Sequence, residues 1–119
     1  MLYRYETAVE RFNKAISLCG DNIGEVWETT FNNLGHSYRK QRKYNEAKDA
    51  YQKGLNLAPR DPNIKASLLS SLGFTHHLAG ELEQAINYYQ KSLGFNPNDR
   101  FTLEMLSRAI DCIVDDLPK

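Results

Sequence analysis

Apolar residues in this chain recur three and four positions apart. Phe31, Leu34 and Tyr38 form one such series, Tyr44, Ala47, Tyr51 and Leu55 a second, Leu69 and Leu72 a third, and Leu82, Ala85, Tyr89 and Leu93 a fourth. Helical side chains share a face at that spacing, whereas strands alternate with a period of two, and such alternation is weak here. Pro59, Pro62 and Pro97 fall between the periodic stretches, and Pro118 lies at the tail. The pattern predicts an all-helical chain. First helices are expected at about Ile23–Gln41 and Asn63–Ala79, and second helices at Tyr44–Leu57 and Leu82–Phe95. A helix over Tyr3–Leu18 precedes them and one over Asp99–Asp115 follows. Asp61-Pro62 and Asn98-Asp99 read as helix starts, with Pro62 at the first helical position. The turns at Arg42-Lys43 and Gly80-Glu81 are short. Gly80 takes a positive φ at little cost, and Arg42 does not.

The same pattern repeats. A shift of 38 residues lays YQKGLNLAPRD, residues 51–61, on YQKSLGFNPND, residues 89–99. It also takes Phe31 to Leu69, Leu34 to Leu72, Gly35 to Gly73, Tyr38 to His76 and Ala47 to Ala85. A shift of 39 moves AVERFNKAISL, from Ala8, onto AKDAYQKGLNL, from Ala47. One helix pair cannot bury its apolar stripe alone, so repeats of this kind stack on their neighbours. Gly35 and Gly73 sit in mid-helix, where glycine costs about 1 kcal/mol against alanine. Close approach to Ala47 and Ala85 of the partner helices is the expected reason.

The order Phe31, Leu34-Gly35, Tyr38, Ala47, Tyr51, Gly54, Pro59 resembles the tetratricopeptide repeat (TPR), and Leu69, Leu72-Gly73, His76, Ala85, Tyr89, Ser92, Pro97 repeats it. His76 replaces the pattern's tyrosine and Gly54 its alanine. The resemblance implies a TPR-type α-solenoid of antiparallel helix pairs, with about two complete repeats and a flanking helix at each end. In this reading residues 1–119 form one TPR domain, a fragment of a longer superhelix. Residues 1–20 are the second helix of a partial repeat, 22–61 and 62–98 are repeats, and 99–116 form the C-terminal helix. The helix at Tyr3–Leu18 then lacks its partner and is expected to present an unpaired apolar face.

Charge and composition narrow the function. Fifteen basic and fifteen acidic residues cancel, unlike the basic balance of nucleic-acid domains. No apolar run approaches the roughly 20 residues that span a bilayer. The opening, MLYRYETAVERF, is charged from its fourth residue and is not a signal peptide. Cys19 and Cys112 form no CxxC pair and read as ordinary thiols in a reducing compartment. His36, His76 and His77 belong to different repeats, without HExxH spacing. There is no nucleophile–His–Asp spacing and no glycine-rich phosphate loop. The expectation is therefore no enzyme, no cofactor and no metal site. His76, at a packed tyrosine's position, reads as a structural histidine.

In TPR arrays the first helices line a concave groove, so the resemblance turns attention to their other face. With 31, 34, 35 and 38 in the core, Thr29, Asn32, His36, Arg39 and Lys40 share another face. Ser67, Ser70, Phe74, His77 and Leu78 follow in the next repeat. Asn32, His36, Arg39, Lys40, Ser70, Phe74 and His77 are the candidate peptide-binding residues. The polar ones suit hydrogen bonds and Phe74 suits an apolar anchor. Arg39 and Lys40 also close a helix, where cations complement its dipole.

A finer resemblance covers most of the chain. Trp27, Glu28, Asn33, Leu34, Gly35, His36, Arg39, Lys40, Tyr44 and Ala47 match the C-terminal repeats of the family of anaphase-promoting complex subunit six. FTHHLAGELEQAINYYQKSLGFNPND and FTLEMLSRAI are similar to its following segments. Thr29 stands where that family has proline. The resemblance implies a non-catalytic scaffold of a cell-cycle ubiquitin ligase, in nucleus and cytoplasm. Its groove would hold a small stabilising subunit of the complex, and dimer contacts would come from N-terminal repeats absent here. No nucleic-acid or membrane partner is implied. The alternative is a generic TPR adaptor or a co-factor of Hsp90 or Hsp70 chaperones.

Overall fold

The computed structural model describes residues 7–11, 13–14 and 26–116. They are helical throughout apart from the turns, with no strand among the described residues. The chain divides into two compact units, Met1–Pro59 and Arg60–Lys119. The division falls at the boundary between the repeats.

In the first unit, α1 (Val26–Lys40) and α2 (Tyr44–Asn56) pack as a pair. The expected start at Ile23, Cys19 and most of the expected Tyr3–Leu18 helix lie outside the described residues. Phe31 and Leu34 of α1 are buried with Ala50 of α2. Val9, Trp27, Tyr38 and Leu57 close over that cluster, so the preceding helical segment reaches α1 through Val9. Asn13 Nδ2 also donates to the Tyr38 hydroxyl at 3.3 Å.

The turn after α1 is a Schellman motif. Lys43 N–H donates to Tyr38 C=O at 2.9 Å, and Arg42 N–H to Arg39 C=O at 2.9 Å. Closing it puts Arg42 at φ 62°, in the left-handed region that a side chain disfavours. Ala58 ends α2 in the same way, at φ 54°, with its N–H on Leu55 C=O. The outer bond of a Schellman motif cannot form there, because the next residue, Pro59, has no N–H.

The second unit holds α3 (Pro62–Leu78), α4 (Leu82–Phe95) and α5 (Arg100–Asp116). Asp61 caps α3, accepting from Asn63 N–H at 2.8 Å, with Pro62 opening the helix. The turn between α3 and α4 repeats the Schellman bonds, from Glu81 N–H to His76 C=O and Gly80 N–H to His77 C=O. Here the left-handed residue is Gly80, at φ 82°. α5 packs against α4, and Ala85, Tyr89, Met105 and Ala109 are buried between them. This helical-pair architecture is the TPR-type solenoid expected from the repeats.

Candidate functional site

The two mid-helix glycines explain how the site is built. A Cβ placed on Gly35 would overlap the Tyr51 ring, with Cδ1 and Cζ at 2.6 Å. A Cβ on Gly73 would meet Cδ1 and Cε1 of Tyr89 at 2.7 Å and the Ala85 carbonyl oxygen at 3.2 Å. Each glycine therefore admits a tyrosine ring from the second helix. Ala47 and Ala85 are fully buried; the Ala85 carbonyl oxygen is among the atoms nearest the added Cβ at Gly73, and at Gly35 the nearest atoms are those of the Tyr51 ring.

Tyr51 and Tyr89 are both fully buried, and each sends its hydroxyl to a histidine of the first helix. His36 Nδ1 lies 2.7 Å from Tyr51 Oη, the rings meeting edge to face at 5.5 Å. His77 Nδ1 lies 3.2 Å from Tyr89 Oη, with the rings at 6.2 Å. The tyrosines correspond under the 38-residue shift, but the histidines do not. His36 follows its glycine directly, and His77 comes one helical turn later, at the register of Arg39. The register of His36 is taken by Phe74, which turns to α5 and meets Phe101 edge to face at 5.6 Å.

Burial of the half-covered His36 ring, helped by the charges of Arg39 and Lys40, lowers its pKa from 6.5 to about 4. Burial, with a smaller contribution from Arg108, lowers that of His77. Both rings are neutral near pH 7. Each engages its tyrosine through Nδ1, so Nε2 is the ring nitrogen left for any other partner. Desolvation raises the Tyr89 phenol well above its usual 10.

α1 thus brings Asn32, His36, Arg39 and Lys40 together on one face of the first unit. Asn32, His36 and Arg39 are half-buried and Lys40 is exposed. In the second unit Phe74 and His77 are half-buried on α3. Ser70 departs from the expectation of a groove residue, being only 6 % exposed. Its hydroxyl stands 2.8 Å from that of Thr102, and Thr102 donates to Asp99 Oδ2 at 2.6 Å. The only proton left for the first contact is Ser70's, so Ser70 donates and ties α3 to the start of α5. Phe101 and Thr102 escaped the reading of the sequence. Under the repeat shift Phe101 matches the polar Asn63, so periodicity carried no signal for either.

His76 replaces the repeat's tyrosine and lies between α3 and α4. Its Nδ1 is 3.1 Å from Glu81 Oε1, and its ring stacks on Tyr88 at 5.2 Å. Lys91 Nζ is 5.3 Å from the centroid of the same Tyr88 ring. Among the described residues no group of three or more His, Cys, Asp and Glu side chains is placed to hold a metal. No described helix is long and apolar enough to cross a membrane. What the two faces offer is hydrogen bonding, positive charge and aromatic surface.

Comparison with known proteins agrees with this geometry. A tetratricopeptide repeat family model matches residues 28–97. The chain belongs to the tetratricopeptide repeat family. It is 45% identical over 86 residues to anaphase-promoting complex subunit 6 of Dictyostelium discoideum, which covers 72% of this chain and 9% of that protein. A crystal structure of the APC/C hetero-tetramer Cut9-Hcn1 superposes with a TM-score of 0.80 at 29% identity, covering 89% of this chain and 20% of the other. The TPR2AB domain of yeast Sti1, in a complex with pHSP90, shares the fold with a TM-score of 0.77 at 23% identity, over 93% of this chain and 42% of that one. The chain therefore spans a fifth or less of the length of the anaphase-promoting relatives it matches.

Proposed function

We propose that this TPR chain is a non-catalytic scaffold segment of the anaphase-promoting complex that captures partner-subunit segments, with one recognition face on α1 in the first unit and another on α3 in the second. The observation that carries the reading is the pairing of each buried tyrosine with a neutral histidine, beside Arg39 and Lys40 on α1. Tyr51 and Tyr89 hold the rings in place, so Nε2 of each is pre-oriented before a peptide arrives. Arg39 and Lys40 favour a partner with carboxylates or a carbonyl-rich backbone. Phe74 with Phe101 favours an apolar side chain. The 45% identity to subunit 6 and the likeness to Cut9, solved in a complex with Hcn1, point to a subunit of that complex as the partner. A protein in that role works in the nucleus and cytoplasm.

The rival is a chaperone co-factor. Such proteins grip two carboxylates with lysine, arginine and asparagine clamps, and here Asn32 and His36 occupy the helix where lysine and asparagine are required. Affinity purification of the full-length protein separates the two. Recovery of anaphase-promoting subunits supports the proposal. Recovery of Hsp90-type chaperones without those subunits rejects it.

A further inference from the structure

The buried phenol of Tyr89 decides where the proton of His77 sits. A tyrosine hydroxyl carries one proton, and burying that proton without an acceptor costs free energy. Tyr89 is fully buried. Among the described residues its hydroxyl has one hydrogen-bond partner, Nδ1 of His77, at 3.2 Å. Were the imidazole proton on Nδ1, two protons would compete for that contact and the phenolic one would be stranded. The contact closes only with the phenol donating and Nδ1 accepting. A neutral imidazole carries one proton, which then resides on Nε2. His77 is neutral near pH 7, because burial and the charge of Arg108 lower its pKa. Desolvation keeps the phenol protonated.

The surroundings of His77 belong to the second unit alone. Phe74, nearly one turn earlier on α3, is half-buried and meets Phe101 of α5 edge to face at 5.6 Å. Phe101 is 46 % exposed. Arg108 of α5 is felt electrostatically at His77 and pairs with Glu104 at 2.7 Å. The α3 face thus sets an aromatic surface beside a fixed N–H donor.

We propose that His77 is a specificity-determining residue of this face, donating from Nε2 to a carbonyl or carboxylate oxygen of a partner segment whose aliphatic side chain rests on Phe74 and Phe101. An ammonium or guanidinium group at the same place meets a second donor and is rejected. Tyr89 is the positioning residue that fixes the tautomer. The inference rests on the reading of α3 as a recognition face, and not on which protein supplies the segment.

Nitrogen NMR of the isotope-labelled 119-residue chain reads the tautomer directly, because protonated and bare imidazole nitrogens resonate far apart. His77 is expected as the Nε2–H form near pH 7. Tyr89→Phe keeps the ring over Gly73, removes the hydroxyl and is expected to raise the Nδ1–H fraction. Two probes that share an isoamyl group then test selection: isocaproate ends in a carboxylate, isoamylammonium in N–H donors. Isocaproate is expected to bind at His77 roughly tenfold tighter, the scale of one hydrogen bond to a charged group. His77→Gln, whose amide offers either a donor or an acceptor, is expected to narrow that difference severalfold. Circular dichroism confirms that both variants remain helical. An Nδ1–H tautomer overturns the proposal, as does a tautomer ratio unchanged by Tyr89→Phe. Equal affinities, no shift at His77 with isocaproate, or a preference unchanged by His77→Gln, which assigns it to Arg108, overturn it as well. An Nε2–H chain that selects isocaproate, in a full-length protein that captures no anaphase-promoting subunit, supports this proposal and rejects only the partner named above.

Discussion

His36 Nδ1 lies 2.7 Å from the hydroxyl of Tyr51, and the ring of that tyrosine fills the space above Gly35, the residue before the histidine. One side chain of α2 thus closes the helix contact with its ring and positions a surface histidine with its hydroxyl. Tyr89 does the same over Gly73 and toward His77. Packing and recognition are joined at these tyrosines, and substitutions there are expected to affect both.

Gly35→Ala and Gly73→Ala are predicted to destabilise the chain. Alanine's better helix propensity returns about 1 kcal/mol, but overpacking a filled core contact costs about 1–3 kcal/mol. The cost wins because the obstacle is a fully buried ring. Gly94 is the control, since nothing lies within 4 Å of a Cβ built there. Gly94→Ala is expected to stabilise by about 0.5–1 kcal/mol. Urea unfolding midpoints at constant slope read all three.

Arg42 at φ 62° predicts that Arg42→Gly stabilises the chain. The left-handed conformation costs a side chain roughly 1–2 kcal/mol, and glycine's freedom in the unfolded chain gives back roughly 0.5–1 kcal/mol of that. A net gain of about 0.5–1 kcal/mol remains. Gly80→Ala, at φ 82°, should lose a similar amount, and thermal unfolding of the pair checks both signs.

Stability should fall in acid through His36. Its folded pKa is about 4 and its ordinary value 6.5, so the unfolded chain binds the proton first as pH drops. The contribution is complete above pH 6.5, declines as pH falls toward 4 and is gone below. His77, also lowered, acts in the same direction. His36→Asn keeps an acceptor near the Tyr51 hydroxyl and cannot titrate. Denaturant unfolding across pH 4 to 7 should therefore show a shallower slope for the variant than for the wild type.

The Ser70–Thr102–Asp99 chain of hydrogen bonds should behave as a unit. Thr102→Val leaves the buried Ser70 hydroxyl without this acceptor and is expected to cost about 1–3 kcal/mol. Adding Ser70→Ala removes the stranded group, so the double variant should lose less than the sum of the singles. A double-mutant cycle measured by chemical unfolding tests this.

Much of the fold was legible because helical periodicity, proline placement and the 38-residue repeat all report on backbone position. The α4 bounds and the Asp61 cap follow directly from such signals. Side-chain partners were less legible. The face of Gly35 was readable, but not that the Tyr51 ring would lie nearest it, because spacing along one helix does not say which group of the next helix fills a gap. Ser70 shares the register of Asn32, and only the arrival of α5 turns that position inward. The histidine's move to the register of Arg39 could be read from the repeat shift, but the turn of Phe74 to Phe101, a residue outside both repeats, could not.

The claim that α1 presents a recognition face is tested most directly by the double variant Asn32→Ala with His36→Ala in the full-length protein. Both residues lie off the buried cluster of α1, so circular dichroism and the unfolding midpoint should show a folded protein. Capture of anaphase-promoting subunits, quantified against wild type, is predicted to fall by roughly tenfold or more, the effect of losing about 1.4 kcal/mol of contact energy. Undiminished capture by the folded double variant would contradict the account.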